Sequence, residues 1–386
     1  MIKPLLTKLL RKRAFGAFAP AHTHYSPGSS QGLQKIHYDG YIKNIIVYRC
    51  VTLIARSLAS IPLNVHVGQD KQNDHPLQSL LQRINPYQSR ATFCETIASF
   101  FLLTGNCYVE MIKDATGNPV ELYALRPDRI EIMTDAMGEA SSYRLRVDGV
   151  ERHIPAEGEH GALLHIKSFH PQNDWFGLSP LEAAALSIQQ HNTITNHNIS
   201  LMENGGRPTG AIIVKTGAYG LDEAQRERLK NDIEGIYKGS ANAGKLVVLE
   251  GDFEWREMGL SPKDMDFIDG KNQSAREIAQ AFGVPPMLVG VPGDATFANY
   301  REARYHLWED TIVPMLDHFL SEMSIWFEGY YGGSVSIRPD LDGVPALGLR
   351  RDAYWHKIAS AEFLTHNDKR QLLGFAPLSA DQKANI

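Results

Sequence analysis

The stretch SPLEAAALSIQQHNTITNHNISLME, residues 179–203, decides how this chain of 386 residues is organised. Ser179 stands where an N-cap belongs, Pro180 occupies the first helical position, and Glu182 follows three residues after the cap. Hydroxyl, ring and carboxylate together suit the orphan amides of a first helical turn. Asn204, Gly205 and Gly206 supply a left-handed stop. A helix so delimited is about 37 Å long at 1.5 Å per residue. Leu181, Ala185, Ile188, Ile199 and Met202 form its apolar stripe. Its middle is amide and imidazole: Gln189, Gln190, His191, Asn192, Asn196, His197 and Asn198. Flanks that are polar yet nearly uncharged suit packing against copies of the same helix; a polar outer face on an ordinary core helix is the plainer alternative.

On its N-terminal side the chain reads as α+β. A helix over about Tyr41–Ser60 carries Ile45, Tyr48, Val51, Ala55 and Leu58 at helical spacing, and Pro62 closes it. Leu63–Val67 alternates as a strand, HPLQSLLQRINP (75–86) is a short amphipathic helix, and Ala91–Thr104 a more apolar one. From Cys107 to Ile166 the rhythm shortens to strands: YVEMIKD and VELYALR flank a turn at Thr116–Pro119, and RIEIMT, SYRLRV and ALLHIKS follow. This is no regular βαβ alternation.

On the C-terminal side a strand–helix–strand unit is expected. GAIIV is its first strand, Asp222 and Gln225 box the start of a helix over Glu223–Lys238, and KLVVLEG (245–251) is the returning strand. A second helix spans Lys263–Phe282. The loop VPPMLVGVPGDATFAN follows, with Asp294 its one charge. Asn299 and Glu302 start a long helix reaching about Phe327, in which Pro314 removes a hydrogen bond and predicts a kink. A strand, SVSIRP, and a last helical segment complete the chain.

Composition excludes several classes. Apolar residues make up 43% and charged residues 22%, the mix of a folded domain. Against 39 Lys and Arg stand 44 Asp and Glu, a net charge of −5, so the chain is no general basic nucleic-acid binder. No apolar run reaches the roughly 18 residues of a membrane span. The basic start, MIKPLLTKLLRKRAF, has its cations after the apolar part and reads as a flexible arm on a Pro, Gly and Ser-rich tether rather than a signal. Cys50, Cys94 and Cys107 sit in apolar surroundings without paired spacing, as buried hydrophobes do.

Catalytic and cofactor chemistry is not legible either. Gly239–Lys245 matches the first seven places of a P-loop, but Leu246 stands where the magnesium-binding hydroxyl belongs, and the loop leaves a helix to enter a strand, the inverse of the required order. The histidines are scattered; His191 and His197, six apart on one helix, share no metal face. No cofactor, metal or catalytic residue is expected.

Several segments, in order, resemble the portal proteins of tailed bacteriophages, in the Hong Kong 97-type branch. They are VYRCVTLIARSLASIPL, HPLQSLLQRINP, LLTGNCYVEMIKDATGNPVELYALRPDRI, LLHIKS with GLSPLEAA, ENGGRPTGAIIV, NAGKLVVLEGDFEW, REIAQAFGVPPMLVG and LTHNDKRQLLGFAPL. Together they run over roughly residues 40–380. The C-terminal part is short, and nothing matches a long terminal barrel.

The resemblance implies a ring of about a dozen subunits at one capsid vertex of a phage, prophage or gene transfer particle. It implies a channel for double-stranded DNA, and docking first of the terminase large subunit and then of a head–tail adaptor, against the major capsid protein. It divides the chain into an arm (1–35), an α+β wing (36–178 and 299–348), stem helices (179–204 and 261–283), a clip (205–260), a tunnel-loop region (284–298) and a crown (349–386). Val291, Pro292, Gly293, Asp294, Ala295, Thr296 and Phe297 would face the channel. Glu223, Arg226, Glu227, Lys230 and Glu234 would meet motor and adaptor. Gln189, Asn192, Asn196, Ile199, Phe267 and Gln273 would pack stem against stem. A tunnel loop without Lys or Arg fits DNA that must slide, since each neutralised phosphate adds affinity and drag. Two other classes stay open: an enzyme with an unrecognised site, and a particle adaptor without a DNA channel.

Overall fold

The computed structural model describes residues 38–134, 140–156, 162–203, 210–214, 222–228, 231, 253–257, 266–293, 297–332, 334–373 and 378. All strand pairs among them are antiparallel, and α-helices pack on the sheets centred on Leu63–Val67 and Asn106–Lys113, in keeping with the α+β reading.

A π-helical turn, Tyr38–Ile42, leads into α1 (Ile45–Ala59). Asn44 caps α1, its Oδ1 accepting from the amides of Ile46 and Val47 at 3.0 and 3.2 Å. α2 (Pro76–Gln82) and α3 (Arg90–Thr104) follow, with β1 (Leu63–Val67) and β2 (Asp70–Lys71) before them. The face of α1 carrying Val47, Cys50, Val51, Ile54, Ala55 and Leu58 is fully buried. It meets α3 through Phe93, Cys94, Ile97, Ala98 and Leu102 in one large core. The three cysteines are free and buried as expected, and desolvation pushes the thiols up, to about 12 at Cys50 and about 11 at Cys94.

The next strands are β3 (Asn106–Lys113), β4 (Pro119–Leu125), β5 (Ile130–Thr134), β6 (Ala140–Val147), β7 (Val150–Pro155) and β8 (Leu163–Lys167). They form two three-stranded sheets, β4–β3–β8 and β5–β6–β7. The expected β3–β4 pair is present; β7, whose exposed, charge-rich sequence VERHIP lacks an apolar alternation, is the strand that periodicity alone does not reveal. Tyr108, Ile130, Leu145, Ile154 and Leu163 make a second, smaller core between the sheets. Its edge is laced by Arg152 to Glu110 at 2.7 Å and Arg144 to Glu131 at 2.5 Å.

The long C-terminal helix has three parts. α7 (Phe297–His306) runs into a π-helical stretch, Leu307–Ile312, and then into α8 (Val313–Tyr331). It begins two residues earlier than Asn299, so Phe297 belongs to the helix. The expected irregularity is there: the widened π turn lies immediately before Pro314, which has no N–H for the carbonyl four residues back. α8 buries Leu316, Phe319, Leu320, Met323 and Phe327 in the large core, with Phe319 edge-on to Phe101 at 5.0 Å. β11 (Val335–Pro339) then pairs with β1, Leu63 opposite Pro339 and Val67 opposite Val335. α9 (Pro345–Ala359) and α10 (His366–Leu372) end the described chain; Thr365 and Asp368 form a reciprocal capping box on α10.

Candidate functional site: stem helices, loop and outer sheet

Positioning of the helix that starts at Ser179 begins at two glycines. Gly105, at φ +71°, ends α3 and sends its N–H to the Phe101 carbonyl at 2.8 Å. A Cβ there would lie 2.5 Å from the Gly177 carbonyl oxygen, and one on Gly177 would lie 2.1 Å from the Gly105 oxygen. Only hydrogen fits between them. Beside this contact the fully buried Asn106 accepts on Oδ1 from the Gly177 amide at 2.9 Å, while His165 Nε2 lies 3.0 Å from the same oxygen. Ser168 Oγ donates to the Leu178 carbonyl at 2.6 Å. Ser179, the next residue, is the predicted N-cap, and its Oγ accepts from the Glu182 amide at 3.0 Å.

The helix it opens is interrupted rather than continuous. α4 (Pro180–Ala183) ends at Ala184, which leaves helical dihedrals (φ −89°, ψ 6°), and α5 (Ala185–Glu203) carries on. The first turn is held by the core, where Leu181 lies against Gly40, whereas α5 follows a different partner, α6 (Phe267–Ala281). Ser187 Oγ donates to Glu277 Oε2 at 2.7 Å, Ile194 faces Gly270, and His197 packs on Phe267 with centroids 4.8 Å apart. As numbers rise on α5 they fall on α6, so the pair is antiparallel. Ser187 and Gln273 both donate to Glu277, which holds its carboxyl below the usual range.

α5 is tied to the start of α1 by an amide network. Asn44 Nδ2 donates to Asn192 Oδ1 at 2.9 Å and lies 3.2 Å from His191 Nδ1; Asn192 Nδ2 donates to the Asp39 carbonyl at 2.9 Å. Burial, with Lys271 nearby, keeps His191 below its ordinary pKa. The polar middle of the helix therefore has two uses that the sequence pattern did not separate. Asn192 and Phe267 are engaged within the chain, Gln189, Asn196 and Ile199 face outward, and Gln273 is exposed while donating to Glu277. The expected stripe breaks at its far end: Ile199 is 48% and Met202 70% exposed, because α6 starts opposite His197 and no described element reaches beyond.

After α6 the backbone turns at Gly283 (φ +67°), whose carbonyl accepts from Thr311 Oγ1 at 2.7 Å. Thr311 lies in the π-helical stretch, so that turn braces the start of the loop. Pro286–Val289 is a 3₁₀ turn, and Val291 is buried while Pro292 and Gly293 are exposed. Arg276 of α6 donates to the Pro292 carbonyl. Asp294, Ala295 and Thr296 lie outside the described residues.

The outer sheet pairs β9 (Gly210–Val214) with β10 (Phe253–Glu257), Gly210 opposite Glu257. The expected returning strand at 245–251 and the P-loop-like stretch lie outside the described residues; the strand beside β9 is the next segment, FEWRE. Asp222 and Gln225 exchange hydrogen bonds of 2.7 and 3.1 Å, the capping box read from sequence. Glu223, Arg226 and Glu227 are exposed on the turn it opens, and Lys230 and Glu234 lie outside the described residues. Among the described residues one group of possible metal ligands converges, the exposed His306, Glu309 and Asp310. Their helical spacing and surface position suit local ion pairs, such as His306 Nδ1 to Asp310 at 3.1 Å.

The family described as phage portal protein matches residues 45–374, most of the chain. The chain belongs to the phage portal protein family. Among portal relatives, the portal protein of Enterobacteria phage HK97 is 24% identical over 343 residues, covering 86% of this chain and 78% of its own. Two solved structures are more similar. A chain from the neck of an empty gene transfer agent particle is 39% identical with a TM-score of 0.74, over 96% of this portal chain and 99% of its own. A chain from the neck of a native particle, computed with C12 symmetry, is 38% identical with a TM-score of 0.72, over 97% and 100%. No described helix of the portal chain is long and apolar enough to cross a membrane.

Proposed function

We propose that this portal protein forms a ring of about twelve copies at one vertex of a tailed-phage-type or gene transfer particle, and that DNA passes through its centre. The similarity of nearly the whole chain to a neck component computed with C12 symmetry carries the reading. In that ring α4, α5 and α6 form the stem, and Gln189, Asn196, Ile199 and Gln273 meet the neighbouring subunit. Amides suit such a contact because they desolvate more cheaply than charges. The loop from Pro292 to Thr296 faces DNA, with Val291, expected beside them, held in the core. Its sequence has no cation to grip phosphate, and Arg276, the nearby candidate, is turned onto the Pro292 carbonyl.

The β9–β10 sheet with the exposed Glu223, Arg226 and Glu227 docks a terminase motor and then a head–tail adaptor. The catalytic work of packaging belongs to that motor, and the portal supplies positioning. The test is the mass of the purified protein with negative-stain images of the same fraction. A ring of about a dozen copies with a central hole is the expected outcome. A chain that stays monomeric and is absent from assembled particles would overturn the assignment.

A further inference from the structure

We infer that His191 is an acid-sensitive latch: while its Nδ1 carries no proton, α5 stays fastened to the start of α1, and a proton on that atom releases it. The inference rests on donor and acceptor chemistry inside one chain and does not depend on a ring.

Backbone groups fix which way both amides of the network point. Asn44 Oδ1 accepts from the Ile46 and Val47 amides, so Nδ2 is the atom turned toward α5. Asn192 Nδ2 donates to the Asp39 carbonyl, so Oδ1 is the atom turned toward Asn44. With neither amide able to flip, the two hydrogens on Asn44 Nδ2 have two destinations, Asn192 Oδ1 at 2.9 Å and His191 Nδ1 at 3.2 Å. His191 Nδ1 can therefore only accept, and the neutral ring carries its proton on Nε2. A second proton, on Nδ1, would set one N–H against another. Asn44 and His191 are both buried, so water cannot replace the lost acceptor while the helices stay together.

The surroundings oppose the charged ring as well. Burial disfavours it most, Lys271 of α6 repels it, and the contact with Asn192 offsets only part. On the π-helical turn, Asp39 is paired with Lys43 at 3.0 Å, and Glu277 of α6 accepts from Ser187 and Gln273. α1 has no charged residue before Arg49, and α5 has none before Glu203. His191 thus titrates below its ordinary 6.5. The attachment is complete above about pH 6.5 and is lost as pH falls toward the folded value. What loosens is the outer part of α5. Its inner end stays in the large core through Ile188, whereas beyond His191 the helix is polar and leans on α6 through Ile194 and His197. So polar a helix keeps its hydrogen bonds by packing rather than by propensity.

The test is amide hydrogen exchange of the full chain, read by mass spectrometry over residues 192–203 at about pH 7.5 and pH 5, each scaled to the intrinsic rate. In the unaltered protein the opening constant is expected to be about tenfold larger at the lower pH, the scale set by a base that binds its proton only when released. His191→Asn keeps an acceptor oxygen close to the place of Nδ1 and cannot titrate, so its opening constant is expected to match at the two pH values. Asn44→Asp still caps α1 and turns a carboxylate oxygen toward Nδ1. It forfeits the bond to Asn192 at every pH but accepts from the imidazolium, so α5 is expected to exchange no faster at pH 5 than at pH 7.5. A residue that merely fills space predicts no such reversal. Equal protection at the two pH values in the unaltered chain overturns the inference. So does acid loosening that persists in His191→Asn, which would place the titrating group elsewhere, and so does acid loosening that Asn44→Asp leaves unchanged.

Discussion

Gly177 is the residue on which the most depends for its size. A methyl group there meets the Gly105 oxygen at 2.1 Å, backbone against backbone, so no side-chain rotation relieves it. Gly177→Ala is expected to destabilise the fold by about 3 kcal/mol or more, the scale of forced backbone strain, and thermal melting measures it. Next to it, His165 stacks on Tyr108 at 4.3 Å, and burial pushes its pKa down to about 3 from an ordinary 6.5. A base depressed in the fold contributes stability that is complete above its unfolded pKa and is lost as pH falls toward its folded one. Melting temperature should therefore fall from about pH 6.5 toward pH 3, and His165→Phe should flatten part of that limb while keeping the stacking. An unchanged pH profile in the variant would show that His165 carries none of it.

Between elements, the α5–α6 seam rests on Ser187, Gln273 and Glu277 at one end and His197 on Phe267 at the other. Ser187→Ala removes one hydrogen bond to a charged group and should cost about 1–2 kcal/mol by denaturant titration. Deleting Gly293–Thr296 should leave oligomer assembly intact and impair DNA packaging or retention, read as DNA content per particle; normal packaging would remove the loop from the channel. Arg226→Glu should weaken capture of a terminase or adaptor without shifting the melting curve, since that side chain is exposed and its ion pair with Glu223 is a long 3.8 Å. The helix and strand elements were readable because caps and periodicity are local: Ser179, and Asp222 with Gln225, act within four residues. The break at Ala184 and the intrachain use of Asn192 were not, because each depends on a partner far along the chain, Gly40 for Leu181 and Asn44 for Asn192. A polar residue on a helix looks the same in sequence whether its hydrogen bonds go to its own chain or to another.

For the whole molecule, the acidic balance and the cation-free loop predict weak, sequence-independent contact with duplex DNA. Filter binding should show low affinity with a shallow salt slope, on the order of one or two neutralised phosphates per subunit. A steep slope would require a basic lining elsewhere in the channel. Family membership was legible from the order of many weak segments, whereas the surfaces that subunits share are properties of an assembly and leave only exposed residues such as Ile199 and Met202 as a trace. The β1–β11 pairing sets a limit of a different kind, on the timing of synthesis. Leu63 cannot find Pro339, nor α1 and α3 the apolar face of α8, until nearly all of the chain has left the ribosome. Contacts of such long sequence separation are slow to form. Nascent chains stalled before β11 should be digested by protease through the region of α1, and resistance should appear only once residue 339 is clear of the exit tunnel.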